Sequence, residues 1–295
     1  MKIAFIGIGV MGRSMALHLI KDGGHELQVY TRTKAKAADV LAAGAKWCDT
    51  VKEAVTGVDA VMTMVGFPSD VEEVYFGPAG ILENAAAGAL LIDFTTTKPS
   101  LEQQIHAEAQ KRGLRFLDAP VSGGDTGARE ARLSIMVGGD KADFDAAVPL
   151  FESLGKTIVY QGPTGSGQHA KMCNQIAIAS GMIGVMESLL YARRSGLDPD
   201  TVLKSIATGA AASWSLSNYV PRVLRDDFKP GFYVEHFLKD IRIALEECEK
   251  MGIDAPGLKL TYELYLEVDK MGGAKLGTQS IYKALEARSA PANKK

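Results

Sequence analysis

The sequence predicts an α/β domain built on a doubly wound, mostly parallel sheet, followed by an all-α domain. Three observations carry this. Short apolar runs alternate with helical patterns through the first half of the chain. A glycine-rich loop, Gly7 to Gly12, joins the first run to the first helical pattern. After Gly162-Pro-Thr-Gly-Ser-Gly167 the period-two alternation disappears and only helical patterns remain. The 295 residues suit two domains of about 150 each, and we place the division near residue 163, as 1–163 and 164–295.

The elements follow in order. Lys2–Ile6 is an apolar run that opens into Gly7-Ile-Gly9-Val10-Met11-Gly12, and a helix is expected from Met11 to Lys21, stopping at Gly23-Gly24. Leu27–Tyr30 reads as a second strand and Lys34–Ala43 as a helix ended by Gly44. Ala60–Val65 and Ala89–Asp93 are short apolar runs of the kind a parallel strand buried on both faces shows. Ser100–Arg112 has an acid, Glu102, in its first turn, basic residues in its last and Gly113 after it, which is the charge order and stop signal of a helix. Arg115–Asp118, Ser134–Val137 and Thr157–Tyr160 are further strands, and the repeated strand–helix–strand units imply the parallel sheet. Gln168–Ser195 is one long helical pattern, apolar nearly all round and therefore expected to be buried between the domains. Asp198–Ala207, Tyr233–Met251, Gly257–Lys270 and Thr278–Arg288 are four more helices, the first with Asp198-Pro199-Asp200 as its start signal. The tail Ser289–Lys295 is small and polar and is expected to fray.

Composition removes several function classes. Thirty-three Lys+Arg against 35 Asp+Glu leave a net charge of −2, so there is no basic surplus to track a phosphate backbone. Three scattered cysteines, Cys48, Cys173 and Cys248, cannot form a disulfide framework, and no CxxC pair suggests structural zinc. The eleven methionines read as core filler. The first residues run straight into a strand pattern with no signal-peptide profile, and Ile176–Met186 falls short of the roughly 20 residues a bilayer needs. A cytoplasmic location is expected.

Gly7, Gly9 and Gly12 form GxGxxG in the turn between a strand and a helix. The first glycine makes the tight turn, the second lets backbone approach a pyrophosphate, and the third allows close helix–strand packing, while the helix N-terminus supplies N–H donors. About 20 residues on, an NAD site would carry an acid for the ribose 2′-hydroxyl. Here stand Tyr30-Thr31-Arg32-Thr33, followed by Lys34 and Lys36. Arg32 with two hydroxyls can clasp a 2′-phosphate, which favours NADP over NAD and leaves NAD open. Asp93-Phe-Thr95-Thr96-Thr97 follows another strand, where Thr95 and Thr96 could face the nicotinamide end; by itself such a segment is often helix-capping chemistry.

Asp118-Ala-Pro120-Val-Ser122-Gly123-Gly124 offers a hydroxyl and backbone N–H groups to a carboxylate, or is simply a glycine-rich turn. Lys171, Asn174 and Gln175 lie at i, i+3 and i+4 and so share a helical face. A lone lysine near a helix start is ordinarily a solvated charge. A lysine with two amides on an otherwise apolar helix at a domain junction is more suggestive, because burial would lower its pKa toward the range of general acid–base catalysis. His169 lies off that face and is expected to be structural or exposed. No His/Cys/Asp/Glu group has metal-ligand spacing.

In these segments the chain resembles the β-hydroxyacid dehydrogenase family, which includes 3-hydroxyisobutyrate dehydrogenase, tartronate semialdehyde reductase and the glyoxylate/succinic semialdehyde reductases. The resemblance runs nearly end to end, through Gly7-x-Gly9-x-Met11-Gly12, Thr31-Arg32-Thr33, Asp93-Phe-Thr95-Thr96, Asp118–Gly124, Gly165–Gln175 and Phe237-Leu-Lys239-Asp240. It implies a Rossmann-type domain followed by an all-α domain, in the 6-phosphogluconate dehydrogenase-like arrangement, although 295 residues are too few for that enzyme's larger helical part. It further implies Lys171 as the general acid–base of hydride transfer, with Asn174 and Gln175 orienting substrate and Ser122, Gly123 and Gly124 holding its carboxylate. Gly7, Gly9, Val10, Met11, Gly12, Thr31, Arg32, Thr33, Val65, Thr96 and Lys239 would bind the cofactor, with Asp240 supporting the helix that carries Lys239. The substrate would be a small carboxylated aldehyde or hydroxy acid, and the assembly a homodimer or homotetramer. Thr31 stands where NADP-using relatives often carry Asn, and Ser213-Trp214-Ser215 falls in a segment that varies among relatives. The competing reading is a catalytically silent dinucleotide-binding module. Such relatives, like the imine reductases, usually lose the lysine that this chain keeps as Lys171.

Overall fold

The computed structural model describes residues 1–289; the rest of the tail, 290–295, lies outside the described residues. The chain forms two compact units, Met1–Lys171 and Met172–Lys295.

The first unit opens with β1 (Lys2–Ile6), α1 (Val10–Lys21), β2 (Glu26–Tyr30), α2 (Ala38–Ala42), β3 (Lys46–Trp47), α3 (Val51–Val55) and β4 (Ala60–Thr63). It continues through α4 (Pro68–Phe76), α5 (Ile81–Asn84), β5 (Leu90–Asp93), α6 (Pro99–Lys111) and β6 (Arg115–Asp118). β7 (Val121–Ser122), α7 (Gly124–Arg129), β8 (Leu133–Gly139), α8 (Lys141–Glu152) and β9 (Gly155–Gly162) complete its sheet. The strand order is β3-β2-β1-β4-β5-β6-β8-β7, with β9 paired to β8. From β3 to β6 every pairing is parallel, β8 runs antiparallel to β6 and β7, and β9 is parallel to β8. The sequence therefore reads correctly as a doubly wound, mostly parallel sheet. Its chain order reverses between β1 and β4, the switch point at which such sheets bind ligands.

Burial on both faces explains the apolar runs. Along β1, Ile3 and Phe5 face one core together with Val29, Met62, Ile92 and Leu117. Ala4 and Ile6 face the other, with Val61, Leu91 and Phe116. A strand with two buried faces has no polar alternation to show. α1 buries Gly12, Met15, Ala16 and Leu19, the i, i+3, i+4, i+7 spacing of one helical face, and ends before Gly24, whose φ of +62° glycine adopts without strain.

α9 (Ser166–Arg194) begins in the first unit and supplies the second unit from Met172 on. It is followed by α10 (Pro199–Ile206), α11 (Trp214–Leu224), α12 (Val234–Lys250), α13 (Pro256–Lys270) and α14 (Ile281–Arg288). Within the second unit α9 is not buried all round. Met172, Ala179, Met182, Ile183, Met186 and Leu189 enter a core with Leu216, Val220, Phe237, Ile241, Leu264 and Tyr265, whereas Cys173, Ala177, Gly181 and Gly184 are exposed. α9 is long and apolar enough to cross a membrane by composition, and its buried stripe at 3–4-residue spacing is equally the pattern of a core helix. The Asp198 carboxylate caps α10 by accepting from the Thr201 N–H at 3.0 Å, as its sequence suggests. α11 lies outside the helices expected from the sequence, because Pro221 and several polar residues hide its periodicity; Ser213, accepting from the Leu216 N–H, is its start signal.

Candidate active site

The glycine loop sits at the switch point. Gly7 has φ +100°, its N–H donates to the Tyr30 carbonyl at 2.9 Å, and a Cβ there would come within 2.2 Å of the Met64 carbonyl oxygen. At Gly12 a Cβ would lie 2.0 Å from the Gly7 carbonyl oxygen, so the third glycine is what lets α1 seat against the turn. At Gly9 a Cβ would meet nothing within 4 Å. Gly9 therefore borders open space, and Val10 beside it is exposed. α1 has no side-chain cap and no acid in its first turn, and the first-turn N–H groups of any helix lack intrahelical acceptors. This cradle fits a pyrophosphate by shape and by charge.

Thr31, Arg32 and Thr33 follow β2 at the same end of the sheet, and Thr33 is the N-cap of the short 3-10 turn Lys34–Ala37. Arg32 is largely exposed, and its Nη1 donates to Asp70 Oδ1 of α4 at 3.0 Å. Asp70 also accepts, through Oδ2, from the Phe67 N–H that precedes that helix. Lys34 lies over the Trp47 ring at 5.1 Å. After β4, the Val65 N–H donates to Thr95 Oγ1 at 3.0 Å, which ties the Val65 loop to the Thr95–Thr97 segment after β5.

Ser122 closes β7, and Gly123 (φ +136°) and Gly124 (φ +62°) take conformations open mainly to glycine, presenting backbone beside that hydroxyl. Lys171 is only 6% exposed, and its Nζ donates to the Val121 carbonyl at 2.8 Å. The structure thus brings two separately predicted features, the lysine and the Ser122 loop, to adjacent residues. The α9 start is held by Asp118, whose Oδ1 accepts from the Gly165 N–H at 2.8 Å and Oδ2 from the Gln168 N–H at 2.9 Å. His169 is exposed, as expected.

In the second unit, Asn174 Nδ2 donates to Gln175 Oε1 at 2.7 Å, and Gln175 Nε2 donates to Asp240 Oδ2 at 2.6 Å. Lys239 Nζ lies 3.0 Å from Asp240 Oδ1, and both residues are buried. Gln175 is 2% exposed and hydrogen-bonded at both ends of its amide, while Asn174 is half-buried. Asp240 therefore holds Gln175 and Lys239 alike.

Three buried carboxyl groups carry no signal of chemistry in the sequence. Asp93 and Asp118 are each pushed up to about 6, first by burial, against the pull of hydrogen bonds from Thr63 and Thr95 to Asp93 and from backbone N–H groups to Asp118. Glu102 is pushed well above the usual carboxyl range by burial and by the nearby Asp93 and Asp118. Among the described residues no group of three His, Cys, Asp or Glu side chains could hold a metal ion.

The sequence matches the NAD-binding domain of 6-phosphogluconate dehydrogenase over residues 2–162 and the NAD-binding domain of NADP-dependent 3-hydroxyisobutyrate dehydrogenase over residues 165–285. It is 60% identical over 281 residues to YkwC of Bacillus subtilis, described as an uncharacterized oxidoreductase, covering 95% of this chain and 97% of that one. The 2-hydroxy-3-oxopropionate reductase of Escherichia coli is 37% identical, over 97% of each chain. The NAD-dependent L-serine dehydrogenase of Pseudomonas aeruginosa is 35% identical, over 97% of this chain and 98% of that one. Among solved structures, the Mycobacterium tuberculosis 3-hydroxyisobutyrate dehydrogenase with L-serine superposes with a TM-score of 0.87 at 30% identity, over 96% of this chain and 98% of that one. The chain belongs to the NAD(P)-dependent β-hydroxyacid dehydrogenases, the 3-hydroxyisobutyrate dehydrogenase-like family.

Proposed function

We propose that the protein is an NADP-preferring reductase of small carboxylated aldehydes or keto acids, reversible toward the hydroxy acid, with Lys171 as its general acid–base. The observation that carries this reading is the buried Lys171 Nζ, 2.8 Å from the Val121 carbonyl and one residue from Ser122. A nicotinamide cofactor, when bound, supplies the hydride. Lys171 gives its proton to the substrate carbonyl oxygen as charge develops there, and in the oxidative direction it takes the hydroxyl proton. The Ser122 hydroxyl and the backbone N–H groups of Gly123 and Gly124 bind the substrate carboxylate. Asn174 orients the substrate, steadied by Gln175 and Asp240. Gly7, Gly9, Val10, Met11 and Gly12 hold the pyrophosphate, Val65 and Thr96 line the nicotinamide end, and Lys239 contacts the cofactor.

Arg32 supports NADP, since the segment after β2 offers a guanidinium and two hydroxyls and no carboxylate for a ribose diol. The test is oxidation of NADPH, and separately NADH, with succinic semialdehyde, tartronate semialdehyde, glyoxylate and methylmalonate semialdehyde. Turnover of at least one with NADPH well ahead of NADH supports the reading. Faster turnover with NADH overturns the NADP assignment, and tight cofactor binding with no turnover favours a silent binding module.

A further inference from the structure

Gln168 stands one helical turn before Lys171 and is fully buried. Its side chain makes three hydrogen bonds: Oε1 accepts from the Thr97 N–H at 3.1 Å, and Nε2 donates to the Thr95 carbonyl and to Glu102 Oε1, both at 2.7 Å. These partners fix every proton. A backbone N–H can only donate and a backbone carbonyl can only accept, so the amide has one possible orientation. Glu102 Oε1 is then an acceptor. Across the carboxyl group, Glu102 Oε2 is buried with no ordinary donor, and so is Asp93 Oδ2. Asp93 Oδ1 is already occupied, accepting from Thr63 Oγ1 at 2.7 Å and from the Thr95 N–H at 2.9 Å. Two neighbouring buried carboxylates cannot both stay charged with an oxygen unsatisfied, because an uncompensated buried charge is far too costly. One proton on Glu102 Oε2, donated to Asp93 Oδ2, satisfies both.

We propose that Gln168 is a positioning residue that sets the Thr95–Thr97 segment and the Lys171 turn of α9 in register, and that Glu102 serves it as a neutral carboxylic acid. The idea deepens the proposed function and rests on it only where Lys171 and Thr96 act on substrate and cofactor. The titratable groups around Glu102 agree: Asp93 from β5 and Asp118 from β6 raise its proton affinity, and the buried Tyr75 of α4 supplies no positive charge. Asp93 is tied through Thr63 to the Tyr75 hydroxyl, so one polar chain runs from α4 across β4 and β5 to α6 and the start of α9.

Glu102→Gln preserves the arrangement, with its carbonyl accepting from Gln168 and its amide donating to Asp93. Glu102→Leu removes it and leaves the Gln168 amide to turn. The expected result is that Glu102→Leu and Gln168→Leu each lower kcat by about 10- to 100-fold, that the double variant loses little more than either alone, and that Glu102→Gln recovers most of the loss. Infrared difference spectra of the unmodified protein against Glu102→Gln should show the carbonyl stretch of one neutral carboxylic acid, present only in the former. A Glu102→Gln variant as impaired as Glu102→Leu, or spectra without that band, would overturn the proposal. Should the unmodified protein reduce none of the four substrates, the reductase reading fails; the infrared band then decides the neutral state of Glu102 by itself, its presence supporting it and its absence overturning it.

Discussion

Replacing Lys171 by methionine separates catalysis from stability. Methionine keeps much of the length of the side chain and removes only the ammonium. That ammonium belongs to a residue 6% exposed and donates to the Val121 carbonyl. Taking a side-chain nitrogen out of water costs several kcal/mol, and its hydrogen bond to the Val121 carbonyl is part of what offsets that cost. Lys171→Met, which exchanges that cost and its offset together for an apolar chain of similar length, should therefore unfold within a few degrees of the unmodified protein. Loss of a positioned general acid lowers kcat by about 10²- to 10⁴-fold, or about 3–5 kcal/mol of transition-state stabilisation at 1.36 kcal/mol per tenfold. The pyrophosphate cradle proposed above lies at Gly7–Gly12, so cofactor affinity should be little changed. Calorimetry, a fluorescence titration with NADPH and single-turnover kinetics measure the three quantities. Turnover within tenfold of the unmodified enzyme would refute the role of Lys171, and a large fall in melting temperature would refute the reasoning about its burial.

Three further outcomes are expected. Asp70→Asn leaves an acceptor for the Phe67 N–H but removes the charge that holds Arg32; an exposed pair of this kind is worth under about 1 kcal/mol, so the KM for NADPH should fall by up to about fivefold, with that for NADH unmoved. Equal changes for both cofactors would separate Arg32 from the 2′-phosphate. Gly12→Ala places a methyl group 2.0 Å from the Gly7 carbonyl oxygen, which should cost about 1–3 kcal/mol of stability and weaken cofactor binding at least tenfold, read by thermal scans with and without NADPH. Asp93 and Asp118 hold protons up to about pH 6 in the fold, against 3.8 ordinarily, so the folded state binds more protons than the unfolded one between those values. Their contribution to stability is then largest below about pH 4 and is lost as pH rises through 6, each by roughly 3 kcal/mol. Melting temperature should rise from pH 7 to pH 5, and a flat or falling trend would contradict the burial argument.

The sheet and the glycine loop were legible because their causes are local: strands buried on both faces must be apolar, and a turn that tolerates no Cβ must be glycine. Lys171 with Asn174 and Gln175 was legible as a helical face from spacing alone. β3 and β7 were not, since two-residue strands leave no periodicity and exist only through Gln28–Lys46 and Ser122–Ser134 pairings supplied by the rest of the fold. Glu102 shows the deeper limit. As an acid in the first turn of a helix it looks like an exposed charge placed to suit the dipole, yet it is fully buried. Nothing within six residues of it announces that: the partners that make its burial tolerable, Gln168 and Asp93, come from elsewhere in the chain. Spacing puts Gln175 on the same face as Lys171, whereas the hydrogen bond from its amide nitrogen is visible only once α12 brings Asp240 to it.

The most direct test of hydride transfer assisted by Lys171 follows the hydrogen itself. The protein is incubated with NADPH carrying deuterium at the transferred position of nicotinamide C4 and with the best substrate of the panel, and the hydroxy-acid product is analysed by mass spectrometry. One deuterium per product molecule is expected, bound to the carbinol carbon, with strongly diminished product from Lys171→Met at unchanged cofactor binding. Bound, unoxidised cofactor with every carboxylated aldehyde, or product lacking the label, would contradict it.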